Sequence, residues 1–255
     1  MIMNKESAQE IIDYFQKDRM LFYYFKNRYA LMLLSYFVEH TEQISRIRKK
    51  RFGKLLQKPV IKNILKNAGK GLLTKAIINS MWPHHYECYR LSLTIWGDSD
   101  KEERFYNQTS RSGVNLVLQL NFSEKHNREY YKLISPDKDH PFEYSEHPIA
   151  RKRARTLAWA RIDLDLDNNE ALIEEIQNDW IREALERKGI AQQAEDGLVY
   201  PEKDLEYYKD RIGCHPENLL KYFNEVLAPH IGLWDEAIMK KLIKTKQLTF
   251  YLLKF

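Results

Sequence analysis

Residues 156–180 read TLAWARIDLDLDNNEALIEEIQNDW and contain the strongest fold signal in the chain. Apolar and polar side chains alternate up to Asp167, as they do along a half-buried strand. Asn168 and Asn169 can adopt the left-handed backbone of a tight turn, and a second extended segment runs from Ala171 to Gln177. Asn178 or Asp179 can then cap a helix. This stretch therefore predicts a β-hairpin that leads directly into a helix.

Two more strands are predicted on the N-terminal side of the hairpin. Residues 89–96 and 114–122 alternate in polarity and are rich in β-branched and aromatic side chains. Gly97 and Gly113 supply turn residues at their ends. Together with the hairpin, these segments favour a central, mainly antiparallel sheet.

The sequence on either side of these strands has helical periodicity. Residues 7–80 read as helices: Ser7 and Glu10 form a capping-box pattern, a second helix is expected from Tyr29 to Arg51, and a third begins near Val60. Residues 201–245 also read as helical, with breaks at 213–216 and 229–232 where glycine and proline occur.

The predicted architecture is α+β. It has a helical, basic N-terminal region (residues 1–82), a sheet region (83–182) and a helical C-terminal region (183–255) expected to pack on the sheet. The composition agrees with a folded chain, since 44% of the 255 residues are hydrophobic and 13% are aromatic, which is too rich for a disordered protein.

Cysteine usage and hydropathy set the expected location. Cys88 and Cys214 are too few for a disulfide framework, and no secretory leader opens the sequence. The most apolar run, from Tyr29 to Val38, is half the length of a membrane span. We therefore expect a cytoplasmic protein with no membrane span.

Charge is distributed very unevenly along the chain. Residues 46–75 contain eleven Lys and Arg side chains and no carboxylate, whereas residues 163–206 contain fourteen carboxylates and four cations. A basic stretch of this kind can bind nucleic-acid phosphates, an anionic membrane surface, an acidic partner or the protein's own acidic half. Arg151, Lys152 and Arg153 form a second basic cluster. The candidate nucleic-acid-binding residues are Arg46, Arg48, Lys49, Lys50, Arg51, Lys54, Arg151, Lys152 and Arg153.

A polar site is predicted at the end of the hairpin. Alternate side chains of a strand share a face, so Glu175 and Gln177 are expected on one side, with Asp179 close behind them. Two carboxylates and an amide in this arrangement suit acid–base work or the binding of a polar ligand or a metal. The alternative is that they line a solvated face or cap the next helix.

The segment from Glu174 to Trp180 resembles the E-E-I-Q-S-D-W signature of domains in very large polyvalent proteins of phages and mobile elements. The family's Y-R-x-L-x-L-T strand, histidine and L-A-x-x-R strand are matched in order by residues 89–94, His147 and 157–161. A later helix resembles residues 234–241. Asn178 replaces the signature's serine, and Pro148 stands where tryptophan is expected. No activity is established for that family, so the resemblance implies a mobile-element origin and a polar site but no reaction.

Arg90 completes the candidate catalytic set with Glu175, Gln177 and Asp179. An arginine on a first strand, the Ser/Thr segment 109–112 and the Glu175/Gln177 pair follow the order found in ADP-ribosyltransferases, although Glu and Gln are reversed here. This similarity supports an enzyme acting on a nucleotide or another phosphate-bearing substrate.

No metal site is predicted, and the sequence identifies no cofactor. The aspartates at 163, 165 and 167 with Glu174 have the spacing of an EF-hand loop, but a half-buried strand explains their alternation with leucines better. His84, His85 and Cys88, with Cys214 and His215, lack the spacing of a zinc site.

Three functional hypotheses follow from the sequence. The first is a phage- or mobile-element-related protein that binds the nucleic-acid backbone. The second is an enzyme with a polar pocket, and the third is a module that binds or inhibits a protein partner. Oligomeric state is not specified by the sequence.

Overall fold

The computed structural model describes residues 3–16, 20–38, 40–97, 108–134, 140–150, 154–196 and 210–236. No helix within these ranges has the length and apolar character needed to cross a membrane. Residues 248–255, an apolar segment whose sequence is compatible with a closing strand, lie outside the described residues.

The chain divides into two compact units. The first, called the sheet unit, comprises Met1–Phe22 and Cys88–Gly232, and the second, called the basic unit, comprises Tyr23–Glu87 and Leu233–Phe255. These units differ from the three consecutive segments drawn from the sequence. The first helix shows why: Met3, Ala8 and Ile12 pack against Val114 and Leu116 of the sheet unit, a contact between residues far apart in the chain.

The sheet confirms the predicted α+β class. Its spatial order is β1-β4-β5-β6-β7, and β4 to β7 are joined by antiparallel pairing. The strands are β1 (Leu21–Tyr24), β4 (Glu87–Trp96), β5 (Asn115–Asn121), β6 (Thr156–Asp165) and β7 (Glu170–Gln177). The hairpin prediction is confirmed, and Asn169 takes the left-handed conformation (φ 53°) that its turn requires.

Helices precede, separate and follow these strands along the chain of the sheet unit. They are α1 (Lys5–Gln16), α6 (Glu124–Leu133), α7 (Asp179–Glu195), α8 (Pro216–Lys221) and α9 (Ala228–Asp235), which extends past Gly232. Asn178 caps α7 by accepting a hydrogen bond from the backbone N–H of Ile181, as the sequence predicts. At α1 the cap is Asn4 rather than Ser7, since the Asn4 side chain accepts from the Ser7 N–H.

The helix predicted from Tyr29 to Arg51 is not continuous. It is divided into α2 (Arg28–Phe37), the short strand β2 (Thr41–Gln43) and α3 (Ile44–Lys49). The cause is non-local, because β2 pairs with β3 (Leu72–Thr74), some thirty residues later. Two 3-10 turns (Gly53–Gln57 and Gly69–Gly71), α4 (Pro59–Asn67) and α5 (Lys75–Asn79) complete the described elements of the basic unit before Trp82.

The predicted break at 229–232 is also wrong, whereas the one at 213–216 is confirmed. Helical residues run without interruption from Pro216 to Asp235, and residues 222–227 form a wider π turn. Pro229 lacks the N–H that would bond to the carbonyl of Glu225, so the backbone just before it departs from α-helical pairing.

The core of the sheet unit is aromatic and contains two histidines. Trp180, Tyr130, Tyr222 and Phe142 are fully buried, and the imidazole of His126 stacks on Phe122 with ring centroids 3.5 Å apart. Rings supply a large apolar area, but each polar atom among them needs a partner.

Burial keeps His126 neutral, and its hydrogen bonds are compatible with the neutral ring. Trp180 Nε1 donates to the Tyr222 hydroxyl at 2.8 Å, and Tyr222 lies 2.9 Å from His126 Nε2. His126 Nδ1 lies 3.2 Å from the Asn127 side-chain oxygen, an acceptor. The neutral ring with its proton on Nδ1 satisfies both contacts. Burial lowers the pKa of His126 to about 3 and moves the pKa of His230 well below its usual value.

Acidification should therefore destabilise the sheet unit. Between pH 6.5 and about 3 the unfolded chain binds a proton at position 126 that the folded protein excludes. Stability from this group is complete above pH 6.5 and is lost as the pH falls, at up to about 1.4 kcal/mol per pH unit. Urea unfolding at pH 7.0 and 5.5 measures the loss.

The variant His126→Gln can still accept from Tyr222 but does not titrate. It should lose less stability than the parent protein over the same interval, and the difference removes contributions from other groups. Equal losses in the two proteins would contradict a buried neutral imidazole at this position.

Candidate functional site

One face of the sheet unit carries polar side chains across three adjacent strands. In the register, Gln119 lies opposite Trp159, Trp159 opposite Gln177, and Arg161 opposite Glu175. Directly opposed residues share a face, so these side chains converge. A bulge in β7 leaves Glu174 without an opposed residue. Glu175 and Gln177 are thereby placed beside Arg161 and Trp159.

Asp179 is the centre of this polar face. Its side chain is 4% exposed and lies in the first turn of α7. One carboxylate oxygen accepts from Gln177 Nε2 at 2.6 Å and from Arg182 at 2.9 Å. The other accepts from His147 Nδ1 at 2.6 Å and Trp159 Nε1 at 3.2 Å. Four donors and the positive end of a helix dipole thus stabilise a buried charge.

The loop that carries His147 is fixed in place although it has no regular secondary structure. Phe142 anchors it in the aromatic core, and Gln119 donates to the Pro148 carbonyl at 2.7 Å. The Ala150 N–H donates to the Thr156 hydroxyl at 2.9 Å. A largely buried ion pair of 2.6 Å joins Glu143 to Arg155 at the start of β6. Burial raises the pKa of Glu143, and Arg155 opposes that rise.

His147 is the accessible group at this site. Its side chain is 25% exposed and is flanked by the rings of Tyr144 and Trp159, with centroids 4.8 and 5.4 Å away. Nδ1 donates to Asp179, whereas Nε2 has no hydrogen-bond partner among the described residues and is not one of their buried unpaired atoms. An imidazole oriented by a carboxylate, with its second nitrogen open, is suited to accept or deliver a proton.

Glu175 belongs to the same face but is held by a salt bridge. Its carboxylate lies 2.9 Å from the guanidinium of Arg161, which is itself buried and lies over the Trp96 ring. Glu175 is a third exposed at the side chain. The pair places a charge of each sign next to Gln177.

A second charged cluster lies farther along β6 and β7. Arg111 contacts Asp163 at 3.0 Å, Asp165 at 3.2 Å and Glu170 at 3.3 Å. Burial raises the pKa of Asp163, and Arg111 works against that rise. Asp163 and Asp165 are two of the four carboxylates whose spacing is similar to a calcium loop, and both pair with Arg111.

Arg90 is separated from the other predicted catalytic residues. It lies on β4, so β5 and β6 stand between it and β7. Its guanidinium is 3.4 Å from Glu124, and the two residues border a shallow open depression with Cys88 and Phe122. The structure therefore brings together Glu175, Gln177 and Asp179 and leaves Arg90 elsewhere.

The predicted nucleic-acid-binding residues divide into two groups. Exposed side chains on the basic unit are Arg46, Arg48, Lys49, Lys50, Arg51 and Lys54. Arg151, Lys152 and Arg153 lie outside the described residues.

Reasoning from the sequence did not assign His147 and Trp159 to the site. His147 lies 32 residues before Asp179 in the chain, and no local pattern predicts their contact. The available signal was the position of His147 within the polyvalent-protein resemblance.

The described residues contain no cluster of three or more His, Cys, Asp or Glu side chains arranged to hold a metal ion. Burial raises the pKa of Cys214 to about 11, which disfavours a thiolate there.

Replacement of Asp179 by Asn should destabilise the sheet unit strongly. The amide removes the charge and presents a donor to groups that are themselves donors. We expect a loss of about 3 kcal/mol in the free energy of unfolding, measured by urea titration. Glu195→Gln, at an exposed position of the same helix, is the control and should change stability by less than about 0.5 kcal/mol. Similar losses in the two variants would contradict the central role of Asp179.

Comparisons with protein-family models, curated proteins and solved structures found no match to this chain. The resemblance to polyvalent proteins of phages and mobile elements therefore stays a prediction.

Proposed function

We propose that the protein binds nucleic acid through the phosphate backbone. The binding surface is the basic surface, defined as Arg46, Arg48, Lys49, Lys50, Arg51 and Lys54 of the basic unit. The observation that carries this proposal is the segregation of charge between the two units.

Charge follows the structural division closely. Residues 23–87 hold thirteen Lys and Arg against three Glu, a net charge of +10. The sheet unit, residues 1–22 and 88–232, holds 23 cations against 31 carboxylates, a net charge of −8. The total of +5 thus conceals one strongly basic unit. Clustered cations of this density favour polyanions because each neutralised phosphate releases a condensed counterion.

Local packing turns the cations of the basic surface outward. Ile47 is fully buried and anchors α3, so Arg46, Arg48 and Lys49 project from the rest of this short helix. The turn after α3 requires glycine at position 53, because an added Cβ would lie 2.5 Å from the carbonyl oxygen of Arg48. Because Gly53 packs against the backbone of α3, the chain turns back toward that helix, and Lys54 follows directly in sequence.

Aromatic rings support the middle of the surface. Phe37 and Phe52 stack with centroids 4.2 Å apart. The charged groups of Arg51 and Lys50 lie 5.9 and 5.7 Å from the centroids of these rings. Cation–π contacts hold the two cations without neutralising them.

Carboxylates neutralise little of this surface. Within the described residues, Lys50 is the member that forms an ion pair, with Glu42 at 3.3 Å. The hairpin carboxylates Asp163 and Glu175 have partners in their own unit, Arg111 and Arg161, and Asp179 of α7 pairs with Arg182. The cations of the basic surface therefore remain available for phosphates.

Charge reversal provides the first test. The triple variant Lys49→Glu/Lys50→Glu/Arg51→Glu should weaken binding to a labelled 20-base-pair duplex by at least about 100-fold. The slope of log K against log salt should become shallower by about 2.7, or 0.9 for each lost phosphate contact. Fluorescence anisotropy between 50 and 200 mM salt measures both quantities.

The matched control reverses three exposed cations of α6, as Lys125→Glu/Arg128→Glu/Lys132→Glu. Net charge changes by the same amount, but the charges lie on the sheet unit. Affinity should fall much less than in the first variant. Equal losses would mean that overall charge, rather than the basic surface, determines binding.

We also propose a second function, acid–base catalysis at His147 on a nucleotide or another phosphate-bearing substrate. The supporting observation is the orientation of His147 by the buried Asp179 carboxylate while Nε2 stays open. In this role Nε2 takes a proton from the attacking water or hydroxyl group. Asp179 is a positioning residue that stabilises the imidazolium formed.

Turnover of two phosphodiester probes, bis(p-nitrophenyl) phosphate and a uridine homopolymer, tests this second function. His147→Ala should reduce the rate by about 100-fold or more. His215→Ala, which changes an exposed histidine just before α8 in the sheet unit, should leave the rate unchanged. Equal rates in the parent protein and His147→Ala, or no turnover of either probe, would remove acid–base catalysis on phosphodiesters from consideration.

A further inference from the structure

A cluster of aromatic rings forms an exposed patch on the basic unit. Trp82 is 48% exposed and Tyr86 is 44% exposed, and their ring centroids are 5.4 Å apart. Tyr23 contacts both, at 5.8 and 5.5 Å. These three residues are called the aromatic patch. Trp82 and Tyr86 expose large rings to solvent, whereas most described apolar side chains of this unit belong to its core or pack against it.

Packing and backbone restriction fix the positions of the rings in the aromatic patch. Trp82 contacts the buried ring of Phe25 at 6.0 Å, which connects the patch to the core of the basic unit. Pro83 restricts the backbone of Trp82 to extended conformations and fixes its own φ. The ring contacts are edge-on or tilted. Because these contacts already restrict the ring rotamers, the binding of a flat ligand costs little additional side-chain conformational entropy.

Positive charge accompanies the aromatic patch. The guanidinium of Arg28 lies 5.2 Å from the centroid of Trp82 and 5.9 Å from that of Phe25. Lys26 is exposed nearby in the chain. Exposed Lys75 is seven residues from Trp82, so the two are at most about 25 Å apart. An anionic ligand that also presents flat aromatic groups fits this combination.

We infer that the aromatic patch is a base-stacking site for single-stranded nucleic acid, an inference that rests on the proposed phosphate-backbone binding. Unpaired bases stack on Trp82 and Tyr86 while the cations hold the backbone. Stacking of one base on an aromatic side chain contributes about 1–3 kcal/mol and tolerates any base, since every base has a π face. A duplex hides those faces and gains only the electrostatic contacts. The patch therefore gives a preference for single strands, which the basic surface alone does not supply.

Binding of a labelled 12-nucleotide oligo(dT) and of a 12-base-pair duplex at 150 mM salt tests this inference. Trp82→Ala should weaken oligo(dT) binding about tenfold or more and change duplex binding less than about twofold. Trp82→Phe should retain most of the oligo(dT) affinity because it keeps a ring. Tyr14→Ala removes an exposed tyrosine from α1 of the sheet unit and should leave both affinities unchanged.

The outcomes separate this inference from the proposed function. If Lys49→Glu/Lys50→Glu/Arg51→Glu abolishes binding but Trp82→Ala does not alter oligo(dT) affinity, backbone binding stands and the stacking site is excluded. If the parent protein binds neither nucleic acid at 50 mM salt, both proposals fall. Binding of a proline-rich peptide that Trp82→Ala abolishes, with oligo(dT) affinity unchanged, would assign the patch to a protein partner instead.

Discussion

The buried carboxylate of Asp179 is the constraint around which the sheet unit is organised. An ionised group in the interior is stable only when donors surround it, and Asp179 draws one donor each from β6, β7, α7 and the loop at 140–150. The hydrogen bonds that satisfy it therefore also hold these four segments in one arrangement. As a by-product, His147 is fixed with one nitrogen bound and the other accessible. Stability and chemical capability arise from the same contacts.

The polar groups of the two units lie in opposite environments. In the sheet unit, buried polar groups form connected networks, from the chain that links Trp180, Tyr222 and His126 to the carboxylates gathered by Arg111. In the basic unit, an apolar core supports cations that point outward and an aromatic patch that contacts solvent. Within the described residues, Lys50 is the member of the basic surface that pairs with a carboxylate, so most of its cations can contribute to the proposed binding of a polyanion. The networks of the sheet unit support the separate proposal of acid–base chemistry at His147.

Local sequence predicted those features whose causes are local. The hairpin, its turn at Asn169 and the Asn178 cap depend on alternation, turn propensity and one side chain next to a helix start. The grouping of Glu175, Gln177 and Asp179 followed from the two-residue period of a strand. Where a feature depends on residues far apart in the chain, the prediction from sequence was wrong or absent. The helix expected from Tyr29 to Arg51 is interrupted because β2 pairs with β3. Arg90 lies on β4, and β5 and β6 separate that strand from β7 in the sheet.

The sequence by itself determined the α+β class, the four strands β4 to β7, the hairpin with its helix cap and the concentration of cations between residues 46 and 75, because these features depend on periodicity and charge in consecutive residues. The strands β1, β2 and β3 lie in the region that the sequence predicted to be helical, and that prediction is wrong there. Tertiary structure alone decided that His147 and Trp159 meet Asp179 and that Tyr23 joins Trp82 and Tyr86 in one patch. It also decided that the first helix belongs with the sheet. These associations arise from the burial of apolar surface and the pairing of strands between distant segments, which no local window of sequence specifies.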